Sequence, residues 1–216
     1  EAISVSNIGS RQVPVVVSDM KDKTGIQPQD LEVIGYRYSE ELDKWNIGDA
    51  AADYLYTGKK ILDFHLPGAL KVLVDHDAWL NAPDKTKYHP VFQLEGYQDA
   101  VEKSSVLNLI VFDVSRHSEW ERMLQVLAGD RTAVACLGSS EAPSMMFVRR
   151  FFMEMMHRGI QSPVIIGVET AGVTIDEHLI HFSTEAGALF LEGMGDGIWL
   201  WNNMKDVPDM RVSGRT

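Results

Sequence analysis

The sequence predicts an α/β fold, a TIM-barrel-like (β/α)8 arrangement, and three observations lead there. Short runs that are apolar throughout recur along the chain, the composition of strands covered on both faces. In the C-terminal half they alternate with single amphipathic helices, the pattern of parallel strands joined by crossovers. Eight such runs can be counted, the number of a closed barrel. The alternative with the same pattern is an open parallel α/β sheet.

Residues 1–12 are polar and read as a linker, with 13–216 as a single α/β domain. The β-branched run Val13–Ser18 is the first strand. The segment 30–38 fits helix or strand, and Ser39–Trp45 suggests a short helix capped by Ser39. Ala52–Gly58, Leu70–Asp75 and His89–Leu94 follow as strands two to four, with one helical turn at Asp77–Asn81. The second and third crossovers, Gly58–Ala69 and Asp75–Tyr88, are too short for a helix with loops, so the barrel is expected to be degenerate there.

From Tyr97 the rhythm is regular. Tyr97, Ala100 and Val101 have helical spacing before the strand Val106–Val114. Ser118 and Glu121 read as a capping box ahead of the apolar positions Trp120, Met123, Leu124 and Leu127. Thr132–Leu137 is a strand. Met145, Val148, Phe152, Met155 and Met156 mark a long helix ended by Arg158 and Gly159. Pro163–Val168 is the seventh strand, and Thr174 with Glu177 caps the next helix. The run Ala188–Leu191 reads as the eighth strand, feeding the glycine-rich turn 192–197.

Composition narrows function by exclusion. A net charge of −11 leaves no broad basic face for nucleic acid or an anionic membrane. No apolar run approaches the roughly 20 residues that span a bilayer. The single cysteine, Cys136, cannot form an internal disulfide or a cysteine-based metal site, and it fits a reducing compartment. The chain begins with Glu, as a piece excised from a longer protein would.

Several constellations invite chemistry. If the turn holding Gly193, Gly195, Asp196 and Gly197 follows strand eight, it occupies the place where barrels bind phosphate through backbone N–H groups. Gly172, after strand seven, is the companion position; otherwise the glycines only permit tight packing at the rim. Asp75, His76 and Asp77 combine carboxylates and imidazole, or else cap a helical turn. His178 and His181 lie three apart on a helix, without the HExxH pattern, and His117 beside Arg116 has no companion. The helix with Met145, Met146, Met153, Met155 and Met156 reads mostly as a buried barrel helix, but it carries apolar side chains on more than one face, as a domain–domain or subunit contact would. Trp199 and Trp201 alternate with Leu200, so one could face an interface. No catalytic triad, nucleophile elbow, Walker loop or dinucleotide fingerprint is present.

The phrase Gly187–Leu200 (GALFLEGMGDGIWL) resembles the end of the insert domain in three-domain hydroxymethylbutenyl diphosphate synthases of the methylerythritol phosphate pathway. Tyr88–Phe92 (YHPVF), Ser105–Leu109 (SVLNL), and the helix Phe147–Gly159 followed by Ser162–Ile165 agree in order. The resemblance covers Val13 to Trp201, and Glu192 departs from the usual aspartate. It implies a parent oxidoreductase of isoprenoid biosynthesis that performs a reductive ring opening with loss of water. A substrate-binding barrel would precede this segment. A domain carrying a 4Fe-4S cluster on three cysteines and a glutamate would follow it. It further implies that ferredoxin or flavodoxin supplies electrons, and that the location is the bacterial cytoplasm, or the plastid stroma in a plant. The insert would space the other two domains of the same chain. No catalytic residue, cofactor or metal ligand of the family maps onto this sequence, so the segment alone is expected to be inactive. A self-standing barrel enzyme acting on a phosphorylated small molecule is the other reading.

Overall fold

Alternate residues of the apolar runs turn to opposite sides, and this sorts them into an inner and an outer core. The computed structural model describes residues 1–170 and 174–202. Its barrel strands are β1 (Val15–Asp19), β4 (Tyr54–Tyr56), β5 (Lys71–Asp75), β6 (Tyr88–Gln93), β7 (Asn108–Asp113), β8 (Ala133–Gly138), β9 (Val164–Thr170) and β10 (Gly197–Asn202). All pair in parallel, and β1 pairs with both β4 and β10, which closes the barrel and excludes the open sheet. Inside lie Val15, Val17, Tyr54, Leu73, Val91, Leu109, Val134, Cys136, Ile165 and Trp199. The intervening residues, such as Ile110, Phe112, Ala135, Leu137 and Ile166, face outward beneath the helices.

The helices are α1 (His76–Trp79), α2 (Leu94–Asp99), α3 (Trp120–Gly129), α4 (Ser144–His157), α5 (Ile175–Phe182) and α6 (Ala188–Leu191). The expected degeneracy is present. No helix joins β4 to β5, and only the single turn of α1 joins β5 to β6. A 3-10 helix, Pro28–Ile34, covers this sector instead, burying Leu31 and Ile34 against Tyr36, Leu55 and Leu70.

Two local expectations are corrected and one is met. Ser39–Trp45 is not a helix. Tyr36–Ser39 (β2) and Lys44–Ile47 (β3) pair as an antiparallel hairpin, and Trp45 packs on Tyr38 and Phe64 with ring centroids 5.1 and 6.4 Å apart. Those aromatic contacts outweigh a local helical preference. Ser118 makes no capping bond; a 3-10 turn, His117–Glu119, leads into α3. The Thr174–Glu177 capping box does form.

The largest correction concerns the eighth strand. Ala188–Leu191 is helical, continuing α5 through a π-helical segment, Ser183–Gly187. Alanine, leucine and phenylalanine carry no β-branch to oppose a helix, and Leu189 and Ala186 bury into the outer core. The eighth barrel strand is β10, so the glycine turn precedes it. That turn therefore lies at the N-terminal rim of the barrel, opposite to the expected end.

Residues 1–12, read as a linker, pack under that same rim. Val5 and Ile8 bridge each other and are 3% and 1% exposed among the inner-core residues. The Ile3 N–H donates to the Gln161 carbonyl at 2.8 Å. Lys71 Nζ donates to Asn7 Oδ1 at 3.0 Å and to Ser6 Oγ at 2.5 Å. The polar letters of the segment thus serve the lower opening while its two branched residues fill it. Ile8→Ala is expected to lower stability by about 2–5 kcal/mol in urea titration, as for other fully buried aliphatic truncations.

His89 sits above this plug, 1% exposed, with neither ring nitrogen hydrogen-bonded among the described residues. Burial, and then the nearby Lys71 charge, push it down to about 4. An unfolded histidine protonates near 6.5. The folded chain resists a proton that the unfolded chain accepts, so this stability is complete above about pH 6.5 and is lost as pH falls toward 4. The loss attributable to His89 is about 3 kcal/mol between pH 7 and pH 4, at 1.36 kcal/mol per unit. Asp19 and Asp196, raised chiefly by burial, titrate in the opposite sense. The check is therefore the difference between wild type and His89→Leu in denaturant titrations at both pH values: the variant should show the shallower acid dependence.

Candidate functional site

In barrels of this kind, chemistry sits at the C-terminal ends of the strands. The inward-facing position at the top of each strand is occupied here by Asp19, Tyr56, Asp75, Gln93, Asp113, Gly138, Glu169 and Trp201. A pocket of about 150 Å³ opens there, lined by Gln93, Glu95, Asp113, Arg116, Glu119, Ser139, Ser140, Glu169 and Trp201, among others. Four carboxylates thus ring the mouth, and each strand contributes only one residue to it.

The barrel beneath the pocket is filled. Trp201 lies across Gly138 and Gly167; a Cβ on either glycine would come within 2.5 Å of its ring. Trp199 is 2% exposed and meets Trp201 at 5.8 Å and Tyr56 at 4.8 Å, both edge-to-face. Both tryptophans point inward from β10, with Leu200 on the other side; Trp199 is buried and Trp201 is half-buried in the mouth pocket.

The carboxylates hold this filling in place. Trp199 Nε1 donates to Asp19 Oδ2 at 3.3 Å, and Tyr56 Oη to Asp75 Oδ1 at 2.6 Å. Burial raises the Asp19 carboxyl above its ordinary range; burial and then Asp75 raise the Tyr56 phenol. Asp113 accepts from Ser115 N–H and Oγ and from Ser140 N–H and Oγ, at 2.7–3.2 Å. Burial opposes its charge, but the Ser140 and Ser115 bonds outweigh that and hold it below the usual carboxylate range. Arg116 stands 3.8 Å from both Asp113 and Glu119. Among the described residues the pocket holds one guanidinium against Glu95, Asp113, Glu119 and Glu169, and Lys21 stands 3.9 Å from Asp19 beside it, a balance that disfavours a phosphorylated ligand.

The sequence candidates do not converge. Gly172 lies outside the described residues. The turn Gly193–Gly197 is at the far rim, where Gly195 packs against Ile166 and Phe190 and Gly197 against Val15 and Ile165. Its Asp196 is a latch. The Val15 N–H donates to the Asp196 carbonyl at 3.0 Å, and the Val164 N–H to Asp196 Oδ2 at 2.9 Å. This spans the starts of β1 and β9 across β10, a packing role.

Asp75, His76 and Asp77 diverge. Asp77 pairs with Lys59 at 2.6 Å, while His76 stacks on Phe92 and approaches the Glu102 carbonyl at 2.8 Å. His117 leans on Trp120 and Phe147. His181 is exposed on α5, and nothing is described for the His178 side chain. Cys136 is wholly buried inside the barrel, and burial pushes its thiol well up. Among the described residues no group of three metal-ligating side chains comes together, and no helix is long and apolar enough to cross a membrane. The carboxylate ring was missed in the sequence, although an acidic or amide residue ending four apolar strands was its visible signal.

Comparison with known proteins adds a consistent set of relatives. Over 202 residues the chain is 25% identical to the 4-hydroxy-3-methylbut-2-en-1-yl diphosphate synthase (flavodoxin) of Bacteroides fragilis, covering 93% of this chain and 28% of the relative. The synthase of the same name from Parabacteroides distasonis is 25% identical over 150 residues, covering 69% and 24%. That of Bacteroides thetaiotaomicron is 24% identical over 202 residues, covering 92% and 28%. The chain therefore spans about a quarter of the length of these relatives. No protein-family model matches it, and no solved structure matches significantly.

If Trp201 holds the barrel closed, Gly138→Ala must displace its ring. The expected cost is about 1–3 kcal/mol, as for overpacked cores, read from the urea midpoint and a shift in tryptophan fluorescence.

Proposed function

We propose that this chain is the insert domain of a three-domain hydroxymethylbutenyl diphosphate synthase, a structural part of an iron–sulfur reductase of isoprenoid biosynthesis. Its task on this reading is to space a substrate-binding barrel from a cluster-bearing domain. One observation carries the mechanical part. Ile3 is bonded beneath the barrel at the N-terminal rim, while Asn202 ends β10 at the opposite rim. A six-residue strand rises about 20 Å along its own axis, and the tilt of barrel strands leaves roughly 15 Å between the two rims, so these two points lie on opposite sides of the barrel. Three of the mouth carboxylates, Asp19, Asp75 and Asp113, are engaged by aromatic or seryl donors, which fits a structural part.

The parent's 4Fe-4S cluster would reside in another domain, since Cys136 is sealed inside this one. Flavodoxin, named with the relatives, would serve as electron donor to the whole protein, in a bacterial cytoplasm. The mouth and the far-rim turn take no part in the chemistry on this reading.

The test uses the full reading frame that contains this chain. Excising residues 13–202 with a short linker should leave the visible cluster absorption intact and lower turnover with reduced flavodoxin at least about tenfold, the effect expected when a reacting pair loses its geometry. Asp113→Asn in the intact protein should leave turnover within about twofold, because no binding energy at a reacting centre is removed. A monomeric deletion variant with full turnover, or loss of turnover in Asp113→Asn with the fold retained, would overturn the proposal.

A further inference from the structure

We propose that residues 1–12 form a proton-released latch: a proton taken up by His89 frees them from the N-terminal rim while the barrel itself stays closed. His89 points into the barrel at the foot of β6, in register with Leu73, and is 1% exposed. Neither ring nitrogen has a hydrogen-bond partner among the described residues. As a neutral imidazole it packs against the ring of Tyr54, edge-on at 6.4 Å. As an imidazolium it would bring two N–H donors and a charge into a site that offers no acceptor, the costly way to bury a cation.

The groups around His89 oppose that charge on each side. Lys71 on β5 repels it, and Lys87 adds a second positive charge near Lys71. Tyr54 on β4, kept neutral by burial, gives its hydroxyl hydrogen to Asn7 of the plug. Asn7 and Ser6 also accept from Lys71. The inner core otherwise offers Val15, Leu73, Leu107 and Leu109, all apolar. Of the carboxylates at this rim, Asp53 accepts the Val16 N–H and Asp196 the Val164 N–H, at 2.8 and 2.9 Å.

The plug is the part that gives way. Each barrel strand is laddered to two neighbours, whereas the plug hangs on Ile3 to Gln161, on Val5 and Ile8 to each other, and on Lys71 and Tyr54. Ser6 and Ser10 hold φ of 56° and 55°, a left-handed conformation that residues with a Cβ disfavour. The two side chains that anchor Asn7 are the two that crowd His89. Lifting the plug admits water to the imidazole and lets the Lys71 ammonium move off, so opening and proton uptake are linked. The closed form takes the proton only at about 4, and the open form at the ordinary value near 6.5. The latch is therefore shut above about pH 6.5, and its open fraction rises about 30-fold between pH 7.5 and pH 5.

The experiment is hydrogen exchange by mass spectrometry on the full-length protein at those two pH values, corrected for the intrinsic exchange rates. The amides of Ile3, Val5 and Ile8 report the latch, since each donates a hydrogen bond within it or to Gln161. Those of Ile110 and Ile166 report the barrel. Asp196 at the same rim is raised by burial and titrates as well, so the reading is the difference between wild type and His89→Leu. Latch opening should rise about 30-fold more in wild type than in His89→Leu, with the barrel amides at least about a hundredfold slower than the latch throughout, as for a local opening. Lys71→Met is the second variant: with that cation gone, the rise should be smaller than in wild type. Latch and barrel amides exchanging together, an equal rise in His89→Leu, or an undiminished rise in Lys71→Met would overturn the inference and leave the spacer reading untouched.

Discussion

The closed barrel depends on how its interior is filled. Eight short parallel strands can close only if side chains from alternate positions occupy the space they enclose. Here one strand supplies much of that volume: β10 sends Trp199 and Trp201 inward, and β8 and β9 yield room with Gly138 and Gly167. The lower opening is closed by Val5 and Ile8. The carboxylates at the mouth follow from this choice. Two large indole and phenol groups near a barrel end need acceptors for their N–H and O–H donors, and Asp19 and Asp75 provide them.

The outer layer solves a different problem in each half. From β6 to β10 a helix covers each strand, and the outer core is continuous beneath α2, α3, α4 and α6. From β1 to β6 the crossovers cannot cover the strands, so the 3-10 helix Pro28–Ile34, the β2–β3 hairpin and the loop carrying Leu62, Phe64 and Leu66 do so in two smaller clusters. Trp45 Nε1 donates to the His65 carbonyl at 2.9 Å, tying hairpin to loop. Irregular segments can replace helices because the outward faces of β4 and β5 need only apolar cover, here given to Leu55, Val72 and Val74.

Strand content in the second half was legible because parallel strands are apolar throughout and their helices keep a 3.6-residue period. The missing crossovers were legible from length alone. Ala188–Leu191 misled because four apolar residues have no period that separates helix from strand. The neighbouring glycines then suggested a strand end where there was a helix end, Gly193 adopting φ of 74°. One shifted strand moved the whole turn from the top of the barrel to the bottom, away from the rim at which barrels bind phosphate. The plug was illegible for a related reason. Val5 and Ile8 are isolated apolar letters in a polar segment, and only the closed barrel gives them a cavity to fill.

The barrel has a polarity as an object. Parallel strands all begin at one rim and end at the other, so a chain that enters beneath β1 and leaves after β10 must traverse the barrel's height. An antiparallel domain with an even number of strands would return its ends to the same side. A closed parallel barrel, packed through its axis by indole rings, therefore presents its first residues and the end of its last strand at opposite rims. The filled interior confines any ligand to the mouth, where the pocket of about 150 Å³ lies. That packing is, in this chain, the consequence of Trp199 and Trp201, with Gly138 and Gly167 giving them room.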